Sequence, residues 1–462
     1  MSVGLSSDKS VREAYSADAS GLHLVPELVA RPESVEEVVE LLRQAATDRT
    51  PITCAGAQTS TTAASITDKG VLLSLRALDR ISAIDERART IKVGPGALVG
   101  EIKRSAATAG LLFAPDPTSE EESTIGGAIA CNASGARTFK YGATRKHVQA
   151  LKVVMANGEL MEFRRTNLEK NTAGYAFAHD PIDWFIGSEG TLGIVVEAEL
   201  ALLPLPAHVV GLAVFFRTEE EALRFVVATR ESGTVAPRCI EYFDDQAIGI
   251  ARTVAHGGML PDGSTAMIYV EEEVGDDLDS TLGRWGELIE SIAPDFDPLV
   301  FDGEARLREA RKIRHSIPLT MNERGTRYRD AGGRKVSTDW AVPYHKVGEA
   351  IRTARAFAAD RGVEQAVIYG HAGNGHPHQN FIARNARELA TIEGVVEQTL
   401  KRVLALGGTV AAEHGIGKIK RRWLPLQMNG LQIAMMTAVK RELDPLGILA
   451  PGKHLPSSEH MG

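Results

Sequence analysis

The chain has 462 residues, enough for two to four domains at roughly 100 to 200 residues each, so a single small binding module is excluded. Hydrophobic residues make up 44% and charged residues 24%, which suits a chain that buries real cores rather than a disordered one. A net charge of −8 argues against a general nucleic-acid binder, because displacing counterions from phosphates needs a basic surface. Cys54, Cys131 and Cys239 lie far apart with no CxxC spacing, so neither a disulfide framework nor a zinc ribbon is indicated. The N-terminus is too polar for a secretory h-region, and Leu200–Phe216 is too short and too interrupted by Pro204, Pro206, His208 and Gly211 for a transmembrane segment. The expectation is a soluble protein of a reducing compartment.

After a polar leader over residues 1–30, ARPESVEEVVELLRQAATD predicts a helix. Ser34 and Glu37 form a capping box, and Val35, Val38, Val39, Leu42 and Ala46 recur at helical spacing. A strand is expected over Val71–Leu75, an extended run at ARTIKV, a turn at Gly94-Pro95-Gly96, and a helix over Ala97–Ala109 stopped by Gly110. This alternation points to α/β or α+β. Pro204 and Pro206 mark a boundary at residue 206. Beyond it, Val209–Phe216 and Ala266–Glu271 read as strands, Glu219–Arg230 and Leu282–Ile292 as helices, and Arg324–Arg334 as a polar loop. An amphipathic helix around Leu431–Leu443 precedes DPLGILAPGKHL.

Glycine is in surplus, at 44 residues or about 9.5% against a usual figure of about 7%. The loop Ala55-Gly56-Ala57-Gln58-Thr59-Ser60-Thr61-Thr62-Ala63-Ala64 holds nothing bulky and could be either a flexible surface loop or a nest of amides for an anion such as a pyrophosphate. A second segment runs from Pro115-Asp116-Pro117-Thr118 through Thr124, Gly126-Gly127, Asn132, Ser134 and Gly135 to Tyr141-Gly142. A third is Gly187-Ser188-Glu189-Gly190-Thr191-Leu192-Gly193-Ile194-Val195. Each could be turn chemistry alone, or a place where backbone approaches something flat and large.

In their order, PDPTSEEESTIGGAIACNASG, KYG, VVMANGEL and IGSEGTLGIVVEAEL closely resemble the FAD-binding half of the vanillyl-alcohol oxidase superfamily. YGHAGNGHPHQN, GGTVAAEHGIGKIKRRWL and KRELDPLGILAPGK resemble its FAD-linked C-terminal half, and the blocks together span most of residues 31–455. The chain thus resembles the flavin-dependent D-2-hydroxyacid dehydrogenases, the group with D-lactate and D-2-hydroxyglutarate dehydrogenases and the glycolate oxidase catalytic subunit. The resemblance implies an α+β protein: a two-subdomain PCMH-type FAD-binding domain over residues 31–206, and a substrate (cap) domain over residues 207–423 built on an antiparallel sheet flanked by helices. Residues 424–462 would return to the FAD domain. It implies non-covalent FAD, with Gly56, Ala57, Gln58, Thr59 and Ser60 at the pyrophosphate. Pro115, Asp116, Thr118, Thr124, Gly126, Gly127, Asn132, Ser134, Gly135, Tyr141 and Gly142 would surround the ribityl chain and isoalloxazine, and Glu189, Gly193, Ile194 and Val195 the adenine end. Relatives commonly carry Arg-Gly-Gly-Gly where this chain has Ala55-Gly56-Ala57-Gln58, and Asn in place of Ala450.

His371, His376 and His378 fall within eight residues, and Gly373, Gly375 and Pro377 between them exclude a helix. His371 and His378 can share a target only if the chain folds back through a turn. Glu413-His414-Gly415 follows about 35 residues later. Two imidazoles and a carboxylate are a common set for Zn²⁺ or another first-row ion. The resemblance assigns the divalent metal, Zn or Mn, to His371, His378 and Glu413. Here Asn374 and His376 stand where Gly-Asp-Gly-Asn is usual, which leaves His376 as an extra basic group.

Oxidising a D-2-hydroxyacid of D-lactate type to the 2-oxoacid needs removal of a hydroxyl proton and hydride transfer to FAD N5. His414 is the candidate base, and Arg314, Lys335 and Asn380 are the candidate substrate contacts. The expected partners are a small 2-hydroxyacid and an electron acceptor: a quinone, a cytochrome or an electron-transfer protein. The expected setting is cytoplasmic or peripheral to the inner membrane, with a homo-oligomer left open. Two other readings stay open: an O₂-using oxidase of another alcohol, and a flavin-carrying subunit of a larger complex.

Overall fold

The computed structural model describes residues 4–166, 168–255, 259–275, 277–292 and 295–456. The chain forms two compact units, one of Met1–Ser134, Gly142–Leu205 and Glu413–Gly462, the other of Gly135–Tyr141 and Pro206–Ala412.

The first unit holds two four-stranded sheets. In one, Leu5–Ser6 pairs antiparallel with Leu28–Ala30, which runs parallel to Val71–Ser74, itself parallel to Ile52–Ala55. The helix Val35–Asp48 crosses between Leu28–Ala30 and Ile52–Ala55 and buries Val38, Leu41, Leu42 and Ala45 in one core, as its apolar spacing requires. Ser34 caps it by accepting from Glu37 N, but the Glu37 carboxylate accepts from Glu33 N rather than from Ser34, so the expected capping box is only half made. The other sheet is antiparallel, in the order Thr90–Val93, Ile194–Ala201, Val148–Val154, Leu160–Arg164. Helices Val99–Thr108 and Ile125–Cys131 contribute Ile102, Ala106, Ile125 and Ile129 to its core.

The leader takes part in this unit through the strand Leu5–Ser6 and the helix Lys9–Ala14. The chain returns to the unit at Glu413, ahead of the expected residue 424. Ile448 and Leu449 sit in the core, with Ile52 N donating to Ile448 O. The expected amphipathic helix forms as Gly430–Leu443, but only Ile433 of it is buried and Leu431 and Met435 are exposed.

The second unit is a seven-stranded sheet, antiparallel throughout: Leu299–Asp302, Val209–Phe216, Ala266–Glu273, Pro237–Asp244, Val367–His371, His376–Ala383, Arg334–Ser337. Helices cover both faces. Phe215, Phe243 and Tyr269 pack in one core with Leu307, Ile313 and Ile317 of the helix Gly303–Thr326. Phe216 meets Phe225 of the helix Glu219–Glu231, which in turn meets Trp285 of Leu278–Glu290. All eight residues of Pro237–Asp244 are therefore buried, so any charge on this central strand must be paired. The polar stretch at 324–334 is less of a loop than its composition suggests. The long helix continues to Thr326 because Gly325 lets it pass against Lys335, where a Cβ would lie 2.7 Å from the backbone N.

Candidate active site

The histidines lie on a hairpin of the second unit, with Ala372–Asn374 as a short 3₁₀ turn between strands Val367–His371 and His376–Ala383. His371 pairs with His376, Tyr369 with His378 and Val367 with Asn380. Because side chains alternate along a strand, His376, His378 and Asn380 share one face. The glycines set the geometry. Gly375 has φ +74° and a Cβ there would lie 1.8 Å from Val342 O, while at Gly370 (φ +125°) it would strike the His378 ring at 2.9 Å. Ligand-capable atoms of the three imidazoles consequently lie within 4.8 Å of one another, on rings only 3% to 8% exposed.

An oxygen lies near one nitrogen of each ring. Glu241 Oε1 lies 2.7 Å from His371 Nδ1, Thr338 O lies 3.2 Å from His378 Nδ1, and Asp339 Oδ1 lies 3.2 Å from His376 Nε2. Glu241 stands on the buried strand Pro237–Asp244, and its other oxygen accepts from Arg314 Nε at 2.8 Å. Burial pushes its carboxyl pKa up, but Arg314 and His371 outweigh that and hold it down to about 2. Arg314, on the helix Gly303–Thr326, is thus tied to the cluster through Glu241. Asn380 is 1% exposed, and neither its amide oxygen nor its nitrogen has a partner among the described residues. Leaving both unmet costs on the order of 1–3 kcal/mol each, so the position suits a ligand's polar groups. Lys335 Nζ donates to Asn322 Oδ1 at 2.6 Å, and burial lowers its pKa to about 8.

In the first unit the glycine loops meet one another. A Cβ on Gly56 would lie 2.2 Å from Thr124 Oγ1, one on Gly126 would lie 2.6 Å from Pro95 Cβ, and one on Gly193 would lie 2.5 Å from Val153 Cγ1. Thr124 Oγ1 accepts from Gly127 N at 3.3 Å. The backbone is left-handed at Gln58, Ala63, Asn132, Glu189 and Gly142, and such strain in non-glycine residues gathers at ligand sites. Asn132 Oδ1 accepts from Arg145 N at 2.9 Å, and Gln58 Nε2 donates to Tyr15 O at 2.9 Å. The Glu189 carboxylate accepts from Ile416 N and Gly417 N at 3.0 Å, which binds the glycine turn to the 413–417 segment rather than leaving it for a ligand. Ile194 and Val195 open the strand Ile194–Ala201.

In that segment Ser134 Oγ donates to Glu413 Oε2 at 3.2 Å, and His414 Nε2 lies 3.3 Å from Glu413 Oε1. Glu413 directly follows Ala412, whose N–H donates to Asp339 O in the second unit. Gly135 and Tyr141, expected with the first unit, belong to the second. Within it Tyr141 donates to Glu273, and burial together with that carboxylate pushes the phenol pKa up.

The carboxylates that matter most here lie outside every motif in the sequence. Glu241 and Asp339 carried no motif, and neither did Glu271, which lies buried between Arg137 Nε at 3.1 Å and Arg238 Nε at 2.8 Å. The only available signal was acidic residues within otherwise apolar strand runs, a pattern that forces pairing once both sheet faces are covered.

Residues 26–164 match the family model of the FAD binding domain, and residues 205–454 that of the FAD linked oxidases, C-terminal domain. The chain belongs to the FAD-linked oxidase family. It is 31% identical over 450 residues to the glycolate oxidase subunit GlcD of Bacillus subtilis (strain 168), covering 96% of this chain and 92% of the relative. It is 28% identical over 440 residues to a D-lactate dehydrogenase of Anaerostipes hadrus (93% and 89%) and 28% over 442 residues to a D-2-hydroxyglutarate dehydrogenase of Stutzerimonas stutzeri (strain A1501) (93% and 90%). A solved alkyldihydroxyacetonephosphate synthase shares the fold at TM-score 0.71 and 19% identity, over 97% of this chain and 82% of that one. The first unit fits FAD: its small-residue loops close tightly at Gly56 and Gly126, and the buried hydroxyls of Thr53 and Ser123 have no partner among the described residues. No helix among the described residues is long and apolar enough to cross a membrane.

Proposed function

We propose that the protein is an FAD- and metal-dependent dehydrogenase that oxidises a D-2-hydroxyacid of D-lactate type to the 2-oxoacid, with FAD held non-covalently by the first unit. The observation that carries this reading is the buried imidazole cluster beside the unsatisfied amide of Asn380, in a chain of this family. Relatives named for D-lactate, D-2-hydroxyglutarate and glycolate support the substrate class.

His371 and His378 would hold the divalent ion, Zn or Mn, with Glu413 from the segment that follows Ala412. When bound, FAD would supply a two-electron acceptor and the divalent ion would supply Lewis acidity toward the substrate hydroxyl. His414 takes the hydroxyl proton on its imidazole. Arg314, oriented by Glu241, and Lys335 supply positive charge for the substrate carboxylate, and the Asn380 amide hydrogen-bonds the substrate. Gly56–Ser60 would hold the pyrophosphate, the segment 115–142 the ribityl chain and ring, and Gly193–Val195 the adenine end, chiefly through backbone groups. Electrons then pass to a quinone, cytochrome or electron-transfer protein in a cytoplasmic or membrane-peripheral setting.

A screen of 2-hydroxyacids against a redox dye, with and without chelator, tests the reading. D-lactate or a close analogue should reduce the dye, and chelator should stop it. Equal rates with chelator, or turnover only on alcohols lacking a carboxylate, would sink it in favour of an O₂-using oxidase. One relative is named as a subunit, which favours a second reading: a flavin carrier active only within a complex. Rapid flavin reduction by substrate in the isolated chain would remove it.

A further inference from the structure

We propose that His376 is a third imidazole ligand of the metal, so that the second unit alone presents three nitrogen donors and the site favours Zn²⁺ over Mn²⁺. This rests on the metal reading above and adds to it a ligand that the His371, His378 and Glu413 set lacks.

The hairpin register places His376 directly opposite His371 and two residues before His378 on the same face. Its ring centroid lies 5.5 Å from that of His371 and 4.5 Å from that of His378, while those two lie 5.4 Å apart. His376 is therefore as close to each of the other rings as they are to one another. Four-coordinate zinc with bonds of about 2.05 Å has ligand edges of roughly 3.3 Å. The 4.8 Å limit on the imidazole separations leaves a gap that small side-chain rotations close.

Asp339 sits within ion-pair range of the His376 ring. Metal-ligating histidines almost always have their second ring nitrogen held by a carboxylate or a carbonyl. Glu241 does this for His371 and Thr338 O for His378, and Asp339 Oδ1 lies 3.2 Å from Nε2 of His376. Asp339 is itself 2% exposed, and its carbonyl accepts from Ala412 N, so that partner is fixed in place. Three adjacent imidazoles, each 3% to 8% exposed, offer a buried set of nitrogen donors that one cation can share. Imidazole donors suit zinc, whereas manganese favours oxygen, so the third ring shifts selectivity.

The test uses the full-length protein stripped of metal and reloaded. X-ray absorption on the zinc-loaded wild type should count three imidazoles. Chelator competition should show His376→Asn weakening zinc by about 100-fold or more and manganese by less than about threefold, with His376→Gln as a second variant. Two imidazoles in the wild type, or equal losses for the two metals, would overturn the proposal while leaving the His371, His378 and Glu413 site standing. A wild-type chain that takes up no metal at all would instead overturn the metal reading beneath it. The absorption measurement needs no variant, so a misfolded substitution does not blunt it.

Discussion

The two units prepare their chemistry in opposite ways. In the first, side chains are left out, so that Gly56 closes on Thr124 and Gly126 on Pro95. In the second, side chains are pinned down, with Glu241 holding His371 and Thr338 holding His378. The first site should therefore fail when atoms are added, and the second when atoms are removed.

That contrast can be broken or sharpened by substitution. His371→Ala should have the largest effect, a loss of metal and a fall in turnover of at least about 10³-fold, because the lost cation contributes several kcal/mol to the reaction. Metal content and turnover measured together check this. Glu271→Ala leaves Arg137 and Arg238 buried without their shared carboxylate, and should lower stability by about 3–5 kcal/mol in denaturant unfolding while flavin content at low denaturant stays near wild type. A silent substitution here would mean that buried pairing does not hold the second unit's strands. Gly56→Val adds atoms where a Cβ already lies 2.2 Å from Thr124 Oγ1. It should weaken FAD binding by about 10- to 100-fold, read from flavin absorbance during dialysis, without touching metal content.

The smallest effect concerns Lys335. Burial lowers its pKa to about 8, so the ammonium is present below that pH and lost above it. KM for a 2-hydroxyacid should rise by roughly fivefold as pH climbs through 8, and Lys335→Met should flatten that limb. For stability the sign is the same as for any depressed lysine: the buried charge costs most below pH 8, and the cost is relieved as pH rises towards 10.5.

The glycine segments of the first unit stand out in the sequence, and the structure packs Gly56 against the Thr124 side chain, Gly126 against Pro95 and Gly193 against Val153 and Phe185. The histidine hairpin was legible too, since Gly373, Gly375 and Pro377 allow nothing but a turn there. What holds the imidazoles was not. Glu241 meets a histidine 130 residues later, and Asp339 approaches His376 from just past the strand Arg334–Ser337, so neither has a neighbour in sequence that betrays its role. Arg137 lay within a segment already singled out, yet its partner Glu271 is fixed only when the sheet of the second unit forms. The placement of Gly135–Tyr141 in that unit follows from the same long-range pairing, through Tyr141, Lys140 and Glu273.

The most direct test of the account is anaerobic reduction of the bound flavin by D-lactate in one preparation, taken first as purified, then stripped by chelator, then reloaded with zinc. The account predicts that the flavin band bleaches, that stripping slows the bleaching by at least about 10³-fold, and that zinc restores it. Bleaching that is indifferent to metal removal and to His371→Ala would contradict it.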